Sequence, residues 1–172
     1  MKQFLSFKKL ALVLFFITLS GVIISGCGKK IQNSEIDTAS TDAISFQEQM
    51  LTLYEAKTPY IGNASAVGNI IGQLPFVKAE QMGMELQTET EPFGVTVKYK
   101  DLSEVLEQEL KSNAYLMFCL IDNLGRITFS DDFKTTVCYS RNDVLEYGNS
   151  AEVFSENEET FAAFATQLQN GI

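Results

Sequence analysis

Tyr115-Leu116-Met117-Phe118-Cys119-Leu120-Ile121, followed at once by Asp122-Asn123-Leu124-Gly125, is the stretch on which the fold turns. An almost wholly apolar run of this length, bounded by a turn, reads as a central buried strand. The turn leads into a second strand over 126–129, and a third is expected from about Thr135 to Tyr139. Upstream, Met82, Met84 and Leu86 alternate with other residues, Glu91-Pro92-Phe93-Gly94 breaks the run, and Val95, Val97 and Tyr99 alternate again. That pattern predicts a hairpin. Between the hairpin and the apolar run, Asp101 and Glu104 form a capping pattern ahead of Leu102, Val105, Leu106 and Leu110 at helical spacing.

Outside this centre the signals are helical. Ser45 with Glu48 makes a capping box, and Phe46, Met50, Leu53 and Tyr54 lie on one face of a helix that ends before Pro59. Ser65 is placed to cap a second helix carrying Val67, Ile70, Ile71 and Leu74 on one side, with Pro75 as its stop. Gly68 and Gly72 each cost that helix about 1 kcal/mol relative to alanine, which points to close packing against a sheet or to the approach of a ligand. Near the C-terminus, Ser140 with Asp143 caps a short helix ending near Gly148. Ser155 with Glu158 opens the last helix, whose stripe is Phe161, Phe164, Ala165 and Leu168 and whose stop is Gly171. Strands joined mainly by short turns predict an antiparallel sheet of four to five strands with helices packed mainly on one face, an α+β fold.

The N-terminus carries an address. Lys2, Lys8 and Lys9 precede an apolar run over 10–24 that ends at Ser25, Gly26 and Cys27, the pattern of a secretory signal. Ile24-Ser25-Gly26-Cys27 resembles a bacterial lipobox. The resemblance implies cleavage between Gly26 and Cys27, diacylglycerol on the Cys27 sulfur, and a protein held at the extracytoplasmic face of the cell membrane by that lipid. The expected organisation is a signal peptide over 1–26, a lipidated cysteine and flexible tether over 27–44, and a single globular domain over 45–172. Cleavage removes three of the 13 basic residues and none of the 22 acidic ones, so the charge falls from −9 to −12. An acidic body of this kind excludes nucleic acid as a partner.

Histidine is absent, which removes Ser-His-Asp and Cys-His catalysis and histidine-ligated metals. No dinucleotide fingerprint or phosphate-loop lysine pattern is present, and Asp122, Asp131 and Asp132 miss the spacing of a calcium loop. The expectation is therefore no cofactor, no metal site and no catalytic residues. Cys119 and Cys138 form an exported pair, but on strands flanking a third their α-carbons would stand about 9 to 10 Å apart, beyond bridging distance. Cys119 is expected to be a small buried hydrophobe. Arg126 and Arg141 are rare cations in an acidic body, placed to clamp a carboxylate or phosphate or else to pair with Asp131 or Asp143. Tyr60, Tyr99, Tyr115 and Phe93 offer aromatic groups for a groove, although strand aromatics more often pack in the core.

Thr58-Pro59-Tyr60-Ile61-Gly62-Asn63, Val67-Gly68-Asn69-Ile70, Leu74-Pro75, Leu86-Gln87-Thr88 with Glu91-Pro92-Phe93-Gly94, and Leu120-Ile121-Asp122-Asn123 together resemble a bacterial domain of unknown function, family 4825 of such domains. The resemblance extends over about 46–168 and brings no catalytic residues. It implies a lipoprotein of Gram-positive type, in a family also joined to membrane metallopeptidases of the β-lactam-sensing antirepressor type. The zinc motif of those peptidases needs histidine and is not in this chain. The expected function is a non-catalytic module that binds a partner or ligand, associated with an envelope sensor or envelope protein, with Tyr60, Gly62, Asn63, Arg126 and Arg141 as contact candidates. The alternative is a histidine-free hydrolase acting on cell-wall material through paired carboxylates.

Overall fold

The apolar run at 115–121 is helical up to Leu120. A computed structural model of the chain describes residues 38–133 and 135–171. The expected signal peptide, the lipidation at Cys27 and most of the tether lie outside the described residues. Within them the elements are α1 (Thr38–Glu55), α2 (Ala64–Gln73), β1 (Gln81–Gln87), β2 (Gly94–Tyr99), α3 (Glu107–Leu120), β3 (Arg126–Asp131), β4 (Thr136–Ser140), a 3₁₀ helix (Arg141–Tyr147), α4 (Ala151–Phe154) and α5 (Glu158–Gln169).

The run is helical because it continues a helix already under way. Glu107-Gln108-Glu109-Leu110-Lys111 are good helix formers with acids in the first turn, and the carboxylate of Glu109 accepts from the Leu106 N–H at 2.9 Å. From Tyr115 to Leu120 there is no β-branched residue to favour a strand. All of Ala114 to Leu120 is fully buried, so the helix has no polar face there to reveal its period. The earlier capping pattern at Asp101 and Glu104 instead makes a turn, in which Asp101 accepts from the Ser103 N–H at 2.8 Å.

A helix at this position changes the strand connection. The sheet order is β1-β2-β3-β4, with β1·β2 and β3·β4 antiparallel and β2·β3 parallel, joined by the α3 crossover. The fold is α+β with a four-stranded mixed sheet, and two of its three strand pairs are antiparallel as expected. Val95, Val97, Tyr99, Ile127, Phe129 and Tyr139 point into the core, whereas Glu85, Lys98 and Cys138 on the opposite face are exposed. The helices thus cover one face of the sheet. Aromatic contacts run from it through α3 to the C-terminal helices: Phe129 to Tyr139 at 6.2 Å, Tyr139 to Tyr115 at 6.4 Å, Tyr115 to Tyr147 at 5.8 Å and Tyr147 to Phe164 at 5.5 Å.

Helix ends differ from expectation where a nearer cap is available. Asn63 caps α2 by accepting from the Ala66 N–H at 3.2 Å, in place of Ser65, and Asn157 caps α5 in place of Ser155. α1 begins at Thr38, before the Ser45 cap, so residues 38–44 of the expected tether are helical; no proline or glycine interrupts the chain there. Gly148 ends the 3₁₀ helix with a φ of 91°, as its position suggested. Gly68 lies against the sheet, where a Cβ would meet the Met84 side chain at 3.6 Å, while Gly72 has open space around it.

Cys119 is buried on α3 and Cys138 is exposed on β4; both thiols are free. The strand geometry used to separate them does not apply, since Cys119 is on a helix. Its expected role as a small buried hydrophobe holds, and burial pushes its thiol up to about 12.

Candidate functional site

Backbone hydrogen bonds bring three separate segments to one end of the domain. Thr58 pairs with Ile121 in a parallel bridge, its N–H donating to the Leu120 carbonyl at 2.8 Å and its carbonyl accepting from the Asp122 N–H at 3.1 Å. The Asn123 carboxamide oxygen accepts from the Ile61 N–H at 2.7 Å. The Phe93 carbonyl accepts from the N–H groups of Gly125 and Arg126 at 2.9 and 3.1 Å, and the Gly125 carbonyl accepts from the Arg141 N–H at 3.0 Å. Residues 58–63, 91–94 and 120–126 therefore form one surface, although they are far apart in sequence.

The five candidate contact residues all belong to this end, but their situations differ. Tyr60 stands between the two anchor points at Thr58 and Ile61 and is 67% exposed. Gly62 is exposed, with open space where a Cβ would stand, and Asn63 is occupied as the α2 cap. Tyr99 and Tyr115 are core residues, and Phe93 is half-buried.

Arg141 is a structural clamp. Its Nη1 donates to the carbonyls of Phe118 at 2.7 Å, Leu124 at 3.1 Å and Ile121 at 3.2 Å, closing the C-terminus of α3 and the turn after it. Its Nε and Nη2 both reach Oε1 of Glu152, at 2.8 and 2.7 Å. The expected partners were Asp131 and Asp143, yet Asp143 caps the 3₁₀ helix by accepting from the Ser140 N–H at 2.7 Å. Asp131 accepts from the N–H groups of Phe133, Thr135 and Leu102. Arg126 is exposed at the start of β3 and forms no ion pair among the described residues.

Two hollows flank the Glu91-Pro92 turn. One, of about 260 Å³, runs along Phe93, Asp122, Asn123 and Gly125 to Arg141. The other, of about 530 Å³, lies between the β1–β2 loop and Arg126 and is mainly polar. The turn packs closely on the chain behind it: a Cβ on Gly125 would stand 2.8 Å from the Cβ of Pro92.

Two carboxyls, Glu152 beside Arg141 and Asp131 at the far end of β3, are held low. Hydrogen bonds from Ser150 and Arg141 hold the Glu152 carboxyl down at about 2. For Asp131, desolvation acts in the raising direction but is outweighed by hydrogen bonds from Thr135, Leu102 and Phe133, which hold the carboxyl below its usual range. Both displacements run opposite to the one that the general acid of a glycoside hydrolase needs. Asp122 pairs with Lys57 at 3.5 Å, and Lys57 also donates to the Ser155 carbonyl at 3.1 Å and to its hydroxyl at 3.2 Å. Among the described residues no group of three or more Cys, Asp or Glu is arranged to hold a metal ion, and no helix is long and apolar enough to cross a membrane.

Sequence reasoning missed Glu152, Lys57 and Asn123 as organisers of this end. Their signal is spatial, since each acts on a group at least ten residues away in the chain.

A family model described as "Domain of unknown function (DUF4825)" matches residues 53–140, half of the chain, a narrower span than the resemblance at 46–168. No curated protein and no solved structure matches.

Proposed function

The chain belongs to the DUF4825 family, and from that premise we propose that it is a membrane-anchored extracytoplasmic lipoprotein whose domain binds a protein partner or ligand without catalysis. Its anchor is diacylglycerol on Cys27, inserted in the cell membrane, and its partner is an envelope sensor or other envelope protein. The observation that carries the reading is the convergence of 58–63, 91–94 and 120–126 on one end, where Tyr60 is held out to solvent between two backbone anchors. A large aromatic side chain fixed at its base and exposed at its tip loses little entropy when it enters a pocket on a partner. The lipobox pattern and the charge of the cleaved body support an envelope location without nucleic acid.

The test is crosslinking in intact cells from a photoreactive residue at position 60, with the same residue at Met82 on β1 as the control. The reading expects one envelope protein captured from position 60, absent from position 82 and lost with Cys27→Ala. Equal capture from both positions, or capture unaffected by Cys27→Ala, overturns it. Recovery of wall fragments instead would favour the carboxylate hydrolase.

A further inference from the structure

Arg126, Glu89 and Glu91 line one hollow, yet none of them forms an ion pair among the described residues. In a strongly acidic body an arginine beside two glutamates ordinarily pairs with one of them. Here all three face one hollow of about 530 Å³ instead. That size falls within the range of sites for small ligands.

Gln87 and Arg126 lie on the face of the sheet opposite Val95 and Ile127, which none of the described helices covers. Gln87, Gly94 and Arg126 are register neighbours across β1, β2 and β3. Gly94 contributes no side chain, and a Cβ there would stand 2.6 Å from Oε1 of Gln87. The glycine thus lets the Gln87 carboxamide fold onto the sheet, where its Nε2 donates to the Thr96 hydroxyl at 2.9 Å. Thr88 and Thr90 add hydroxyl groups along the rim.

These groups have a defined preference. A guanidinium fork matches a carboxylate through two parallel N–H donors. Two carboxylates nearby repel a phosphate dianion but attract an ammonium group, and hydroxyls and an amide serve peptide N–H and C=O groups. We propose that this hollow binds a short zwitterionic peptide with free termini, its carboxylate on Arg126 and its ammonium group at Glu89 and Glu91. The inference rests on the ligand-binding reading above and supplies the chemical class of the ligand.

The experiment titrates the full chain in detergent with trialanine, N-acetyl-trialanine, trialanine amide and inorganic phosphate, read by calorimetry. Trialanine is expected to bind saturably at millimolar concentration or below, and blocking either terminus to weaken it by about tenfold. Arg126→Gln, with an unchanged circular dichroism spectrum, is expected to weaken trialanine about tenfold and to erase the difference between acid and amide, with Arg126→Lys recovering part of it. Equal binding of blocked and free peptides, preference for phosphate, or no saturable binding of trialanine overturns the proposal. If peptides fail while capture from position 60 persists, only this inference falls; if capture fails while peptides bind as expected, the protein-partner reading falls.

Discussion

Nη1 of Arg141 donates to the Phe118 carbonyl at 2.7 Å, so the residue that follows β4 closes the last turn of α3. The same nitrogen reaches the carbonyls of Ile121 and Leu124, and Glu152 holds the other edge of the guanidinium. One side chain thereby ties the crossover helix, the turn into β3, and α4. Its side chain is 19% exposed, while that of Glu152 is 64% exposed.

Removing this clamp should destabilise the fold more than removing its counter-ion. Arg141→Ala leaves helix-terminal carbonyls without donors and is expected to cost about 2 to 4 kcal/mol. Glu152→Gln, at the exposed end of the pair, should cost under about 1 kcal/mol. Urea denaturation of the two variants checks the order, which fails if Glu152→Gln is the more damaging.

Acid should weaken the fold through Glu152 and Asp131. Glu152, held at about 2, and Asp131, held below its usual range, bind protons less readily folded than unfolded. Their contribution is present above the unfolded carboxylate value of about 4 and is lost as pH falls through the folded values, so stability should decline from about pH 5 towards pH 2. Urea midpoints measured across that window should fall less steeply in Asp131→Asn/Glu152→Gln than in the wild type; equal slopes would contradict the assignment.

The two thiols should separate by reactivity. Cys138 is exposed and Cys119 is buried with its thiol raised to about 12. A maleimide should label Cys138 in the native chain and Cys119 only after unfolding without reductant. Protection of both in the unfolded, unreduced chain would mean they are bridged.

Alanine at two glycines should act with opposite signs. Gly125→Ala drives a Cβ to 2.8 Å from Pro92 and is expected to cost about 1 to 3 kcal/mol. Gly72→Ala adds a methyl group in open space on α2 and should stabilise by about 0.5 to 1 kcal/mol. Thermal melts of both variants decide it, and a stabilising Gly125→Ala would sink the close-packing account of the 91–94 turn.

Where structure is made by neighbours in the chain, the residues alone determined it. Alternation in Met84, Leu86, Val95 and Val97 marked the β1–β2 hairpin, because a hairpin's two faces are written within one short segment. Phe161, Phe164, Ala165 and Leu168 marked α5 because one side of that helix meets water. The absence of histidine set chemical limits that no fold could lift. At Tyr115 to Leu120 that contrast vanished: burial on every side removes the polar face that distinguishes period 3.6 from period 2, and only the completed core decided that the run is a helix. The parallel register of β2 and β3 followed from that helix. So did the choice of Glu152 over Asp143 for Arg141, and the meeting of Thr58 with Ile121. These contacts join groups whose distance is set by the packing of whole elements, and no local pattern carries that information.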